Sequence, residues 1–157
     1  MMKQYNAIER LLYREARFLD EHRFDEWLDL YSSDAIYWIP AGHFDIDPEE
    51  HVSIIYDTRV EMERRVARLK SGFAYAEDPP ARTHRAVSNV EIDVTEPDIV
   101  VSSVLMLFAL SKHKYTIHSA RCEFVLKPGD NDDFKIARKK IGLLRNDEAL
   151  DHIPYLL

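Results

Sequence analysis

VSIIYDTRVEMERRVARLKSGFAYAEDPPARTHRAVSNVEI, Val52 to Ile92, carries the change of texture that decides the fold. Val52 to Tyr56 is a short apolar run with β-branched residues and reads as a strand. Asp57 follows as a helix N-cap. From there to Lys70, Met62, Val66 and Leu69 form one stripe at helical spacing, against Arg59, Glu61, Glu63, Arg64, Arg65 and Arg68. Gly72 ends the helix. Asp78-Pro79-Pro80 holds the backbone extended. From Ala86 to Val94 the period changes to two: Val90, Ile92 and Val94 face one way, and Asn89, Glu91 and Asp93 the other.

Toward the N-terminus, Tyr5, Ile8, Leu12, Ala16 and Leu19 recur at three- and four-residue steps and predict a helix over residues 4–20. Glu9, Arg10, Arg14, Glu15 and Arg17 fall mainly on its other faces. A second short helix turns Phe24, Trp27, Leu28 and Tyr31 inward, and Ser32-Ser33-Asp34 breaks it. Ala35 to Ile39 is a strand ended by Pro40, and Ala41 to Glu50 is an acidic loop.

Toward the C-terminus, Glu96-Pro97-Asp98 turns the chain into Ile99 to Leu110, an apolar run suited to a central strand. Lys112-His113-Lys114 turns it again. Tyr115 to Leu126 alternates, with Thr116, His118, Ala120, Cys122, Phe124 and Leu126 on one face. Pro128-Gly129-Asp130-Asn131 is a strong turn, Phe134 to Leu144 a last strand, and the tail Asn146 to Leu157 packs across another element. Helices first, then long strands at hairpin spacing, is an α+β pattern. A strongly curved mixed or antiparallel sheet wrapped over the N-terminal helices satisfies it and leaves a conical hollow. At 157 residues the chain is expected to be a single domain, 1–157.

Composition narrows the function classes. Acidic residues outnumber basic ones, 28 to 21, for a formal net charge of −7. That speaks against nucleic acid as a partner, because phosphate binding needs a basic face. The basic run Ala137-Arg138-Lys139-Lys140 lies in a strand pattern, where neighbouring side chains point to opposite faces. The one cysteine, Cys122, rules out an internal disulfide and an all-cysteine metal site. It reads as a small buried hydrophobe, and the cytoplasm is the expected compartment. The N-terminus is too charged for a signal peptide. Val104 to Leu110 is far short of the roughly 20 apolar residues that span a membrane.

Four pieces in order resemble the small (beta) subunits of aromatic-ring-hydroxylating dioxygenases. They are Glu15 to Asp20 with Arg23 to Leu28; Asp34 to Ala41; Ser53 to Asp57 with the charged helix, Pro79 to Thr83 and Val87 to Val90; and Phe134 to Ile141. The resemblance implies the cone fold of nuclear transport factor 2, scytalone dehydratase and ketosteroid isomerase, also called cystatin-like or SnoaL-like. It implies a non-catalytic small subunit that forms a trimer and, with an iron-bearing large (alpha) subunit, a hetero-hexamer. The assembled oxidoreductase would add dioxygen to an aromatic ring with electrons from NAD(P)H, in aromatic hydrocarbon catabolism. The Rieske [2Fe-2S] cluster and the mononuclear iron are expected in the large subunit. A Rieske cluster takes two cysteines and two histidines, and one cysteine does not supply them. No cofactor or metal is expected in this chain.

Other readings stay open beside it. His43-Phe44-Asp45 with a distant His118 has the donor types of an iron site, although three letters are a weak motif and His43 reads better as an ordinary loop residue. Asp34, Tyr37, His84 and His118 are the types a cofactor-free lyase or isomerase would set in the hollow, or a module that only binds a small molecule. Read blandly, Tyr37 packs the core, Asp34 turns the chain, and His84 and His118 make hydrogen bonds. A dense Arg/Glu helix is usually a solvated face, but with the resemblance Arg59, Arg64, Arg65, Arg68 and Arg82 suit a subunit contact better. The sequence does not name the aromatic substrate or the face that meets a partner.

Overall fold

The structure, a computed structural model, describes residues 1–42, 44–45, 47–50, 52–71, 80–144 and 156–157. Helix α1 spans Met2–Asp20 and α2 Phe24–Asp29. Strands β1 (Tyr31–Pro40) and β2 (Ser53–Thr58) follow, then α3 (Arg59–Ser71). Strands β3 (Arg82–Thr95), β4 (Asp98–Ser111), β5 (Lys114–Pro128) and β6 (Phe134–Leu143) close the order. The expected α+β architecture is what the chain adopts.

The six strands form one sheet in the order β2-β1-β6-β5-β4-β3. Every pair is antiparallel except β1 with β6, which runs parallel and sets Tyr37 beside Lys139 and Trp38 beside Lys140. Helix α1 lies across the inner face, touching β3 at one side and β6 at the other. Register shifts occur between Ser88 and Glu91, Val125 and Leu126, and Ile39 and Pro40. Such bulges bend a strand and increase its twist, which lets the sheet curl over α1. At the first of them Asn89 takes a φ of 53°. The extra residue puts Val87 and Val90, three apart, on the same core-packed side.

One buried cluster joins the layers: Ile8, Leu11 and Leu12 of α1, Trp27 of α2, Met62 and Val66 of α3, and Val101, Leu107, Leu126, Ile136 and Ile141 of the sheet. Helix α1 ends in a complete Schellman motif. The His22 N–H donates to the Leu19 carbonyl and the Arg23 N–H to the Phe18 carbonyl, with His22 at φ 56° in the place usually given to glycine.

Several local expectations shift. Ser32-Ser33-Asp34 does not interrupt a helix; α2 has stopped at Asp29 and these residues belong to β1. Asp57 is not the cap of α3 but part of β2. Thr58 precedes the helix, and its N–H donates to the Glu61 carboxylate at 3.1 Å, the returning half of a capping box. Glu15 is not on an outer face of α1; it is buried. Gly72, Asp78-Pro79, His43 and most of the tail from Asn146 lie outside the described residues.

Candidate functional site

The inner face of the sheet holds a charged cluster inside the apolar core. Glu15 and Lys139 are 3% and 2% exposed. One oxygen of Glu15 accepts from Lys139 Nζ at 2.6 Å, Trp27 Nε1 at 3.0 Å and Tyr31 Oη at 3.2 Å. A buried charge persists only when paired and hydrogen-bonded in this way. Lys139 also donates to the main-chain oxygen of Leu157 at 2.6 Å. The Tyr37 hydroxyl accepts the Leu157 N–H at 2.8 Å and donates to the same residue's oxygen at 3.2 Å. Burial pushes the Tyr37 phenol above its ordinary range, and burial with the Glu15 charge does the same to Tyr31, so both stay protonated donors.

A second knot adjoins it at the end of α1. Asp20 accepts from the Thr83 hydroxyl at 2.9 Å, from the Arg85 N–H at 3.0 Å and from the Arg85 guanidinium, which also donates to the main-chain oxygen of Leu156. Leu156 and Leu157 are both buried. Two leucines and their backbone therefore occupy the hollow, held by Lys139, Tyr37 and Arg85.

The four pocket candidates do not come together. Tyr37 sits in this cluster. His118 shares the inward side of β5 with Ala120 and Cys122 but is only half-buried, opposite Leu107 of β4. Asp34 is exposed on β1, bonded to Ser32 at 2.7 Å and Lys127 at 2.9 Å, and the lysine holds its carboxyl below the usual range. His84 is exposed on β3, opposite Phe108 on the outer face. Asp45 is exposed, and its partner His43 is among the undescribed residues. Among the described residues no three His, Cys, Asp or Glu side chains gather as metal ligands. Burial raises the Cys122 thiol to about 11, the opposite of what activates a thiol nucleophile.

The arginines divide. Arg59 donates to Glu63 at 3.0 Å and to the main-chain oxygens of Leu28 and Tyr31 at 3.0 and 2.8 Å, tying α3 to the end of α2. Arg65 donates to buried Asp57 at 2.7 Å, and that bond raises its pKa. Arg64, Arg68 and Arg82 are exposed.

Arg82 borders the outer face of β3–β5. There one row runs Arg82, Leu110, Tyr115 and the next His84, Phe108, Ile117. Leu110, Tyr115 and Ile117 are 40%, 60% and 52% exposed, and Phe108 meets Tyr115 at a ring-centroid distance of 6.5 Å. At the other end of the same face the chain covers itself. Lys140 Nζ lies 4.6 Å from the Trp38 ring centroid and 4.1 Å from that of Phe44, a cation held between two aromatic rings. Phe44 seats on Gly142, where a Cβ would meet its ring at 2.5 Å.

Sequence reasoning missed Glu15, Asp20, Arg85, Lys139 and Leu157. The usable signals were Glu15 between Leu12 and Leu19 on the apolar stripe, and Lys139 two residues before Ile141 on an alternating strand.

Comparisons with known proteins give one direction. Residues 14–147 match the family model described as ring hydroxylating beta subunit. Toluate 1,2-dioxygenase subunit beta from Pseudomonas putida is 38% identical over 97 residues, which span 59% of this chain and 60% of that subunit's length. The solved beta subunit of benzoate 1,2-dioxygenase from Burkholderia mallei superposes with a TM-score of 0.76 at 28% identity, covering 95% of both chains. An NTF2-like protein with a cystatin-like fold from Novosphingobium aromaticivorans, with a TM-score of 0.66 at 12% identity, shows the fold alone.

Proposed function

The chain belongs to the ring hydroxylating beta subunit family, and from that premise we propose that it serves as the structural small subunit of an aromatic-ring-hydroxylating dioxygenase. It associates with itself as a trimer and with an iron-bearing large subunit as a hetero-hexamer. The large subunit supplies the Rieske cluster, the mononuclear iron and the substrate pocket. This chain's donor set does not fit a Rieske cluster, since it has one cysteine. Its own contribution is shape and contact area, and its single buried thiol suits the reducing cytoplasm.

The observation that carries the reading is the outer face of β3–β5. Leu110, Tyr115 and Ile117 lie exposed in adjacent positions beside Arg82. Contiguous apolar surface rimmed by polar groups marks protein contact sites, and aromatic residues and arginine are enriched in them. Arg64 and Arg68 on α3 are the further proposed contact residues.

Co-expression with a large subunit from the same source tests this. A mixed complex with the mass of three large and three small subunits and iron–sulfur absorbance is expected. A colourless homo-oligomer that takes up no large subunit would sink the proposal.

A further inference from the structure

Helix α1 carries a basic stripe that the fold does not use. Lys3, Arg10, Arg14 and Arg17 recur at three-, four- and seven-residue steps and so share one face, with the small Ala7 between Lys3 and Arg10. Across from them stands the turn from Pro128 to Lys135, and the two walls bound an open groove of about 1160 Å³. That exceeds the roughly 300–1,000 Å³ of small-molecule pockets and suits a protruding piece of protein. Five cations line it, Lys135 included, against three carboxylates, Asp130, Asp132 and Asp133, in a chain whose net charge is −7. Arg14 meets Asp133 at 3.3 Å and Lys3 meets Asp132 at 3.8 Å, and exposed pairs of this kind are weak. Arg10 and Arg17 are exposed, and among the described residues no carboxylate comes within ion-pair distance of either.

The complementary piece lies between β1 and β2 of the same chain. Asp45, Asp47, Glu49 and Glu50 are all exposed there. A turn bunches the last three: the Glu49 N–H donates to the Asp47 carboxylate at 2.9 Å, and the Glu50 N–H to the Asp47 carbonyl at 3.1 Å. Phe44, seated on Gly142, anchors this acidic tip at one end of β6. The groove adjoins Phe134 at the other end. From Phe134 to Gly142 the strand runs about 26 Å, at roughly 3.3 Å per residue. A chain therefore does not reach its own groove, and a second copy does.

We propose that copies of this chain join head to tail, the acidic tip at Glu49 and Glu50 of one seated in the basic groove at Arg10 and Arg17 of the next. Such a contact is heterologous and makes a ring where the rotation between copies closes. It rests on the reading that the chain associates with itself, and gives that association a surface separate from the open rows of β3–β5.

Sedimentation of the full chain, without large subunit, tests it. The parent is expected as a trimer at about 0.1 M salt, with assembly weakening as salt rises and screens the contact. Arg10→Glu with Arg17→Glu, and separately Glu49→Lys with Glu50→Lys, set like charges against each other. Each pair is expected to weaken self-association about a hundredfold, with circular dichroism unchanged because all four positions are exposed. All four changes in one chain oppose the charges again in reverse and restore the trimer, which local damage to the fold would not do. A parent that stays monomeric, a reversed pair that assembles like the parent, or a fourfold variant that stays dissociated overturns the proposal. Uptake of the large subunit by the parent, read by iron–sulfur absorbance, separates the two readings. Uptake beside failed charge reversals removes this contact alone, and no uptake removes the subunit role.

Discussion

On the inner face of the sheet, Glu15, Lys139, Arg85 and Asp20 are charged and every one has a partner within the chain. On the outer face of β3–β5, Leu110, Tyr115 and Ile117 are apolar and stand in the open. The two sides of one sheet thus invert the usual expectation. The side chains that look like chemistry hold the fold together, and the ones that look like core stand exposed. Charge in a hollow is a poor guide to catalysis when each group is saturated. A general acid or base works best with a pKa near the operating pH, and Tyr37 is driven away from neutrality.

The largest effect is expected where the inner face is broken. Lys139→Met leaves Glu15 buried with two neutral donors and no counter-charge, at a cost of about 3–5 kcal/mol. Equilibrium unfolding in urea reads it. Adding Glu15→Leu should recover a good part of the loss, because the desolvated charge disappears with its partner. If the single change costs less than the double, the pair does not hold the hollow, and the contrast between the faces loses its inner half.

A smaller effect is expected at the self-covered end of the outer face. Gly142→Ala drives a methyl into the Phe44 ring, and relieving that overlap should cost about 1–3 kcal/mol. Phe44→Ala in the same chain should remove most of the penalty. If Gly142→Ala costs as much with Phe44 gone, the loop does not cover this end, and both ends of the outer face would count as open.

Smaller again is Glu61→Ala, which removes the carboxylate that receives the Thr58 N–H. A loss of about 0.5–1 kcal/mol is expected by the measure of helix caps. Its value is in showing that α3 is anchored at its start by local chemistry, while Arg59 and Arg65 anchor its flank to α2 and β2.

These sites also separate what a reader of the sequence can see from what only packing reveals. The stripe Ile8, Leu12, Ala16, Leu19 and the alternation from Ala120 to Leu126 announce α1 and β5, because burial of one face enforces the period. The beta-subunit family was legible from pieces spread along the chain. The inner cluster was not. Glu15 and Lys139 are 124 residues apart, and a lone charge on a helix stripe reads as solvated until its partner is placed. The end of α1 at residue 20 followed from where the apolar stripe stops, but the Schellman turn beyond it was hidden, because histidine, not glycine, takes the left-handed position. The arginines of α3 read alike in sequence. Their division into anchors and exposed groups depends on which main-chain oxygens of α2 and β1 come within reach of Arg59.

The smallest effect on the chain's own stability should come from Ile117→Glu, within about 0.5 kcal/mol of the parent as for most exposed sites. Its effect on assembly should be large. Ile117 neighbours Phe108 across the strands, and Phe108 faces His84. Among the described residues, a carboxylate set in that row meets no permanently charged cation in its own row. In a formed interface it would be desolvated without a paired charge. Val94→Glu is the matched control: Val94 is 46% exposed, near the far end of β3 and away from these rows. Co-expression with the large subunit, followed by size-exclusion chromatography with mass measurement, distinguishes the cases. Loss of the complex for Ile117→Glu with retention for Val94→Glu locates the contact on the outer face. Equal assembly of both would mean that the open apolar rows meet solvent after all, and would turn the search for the contact to Arg64 and Arg68 on α3.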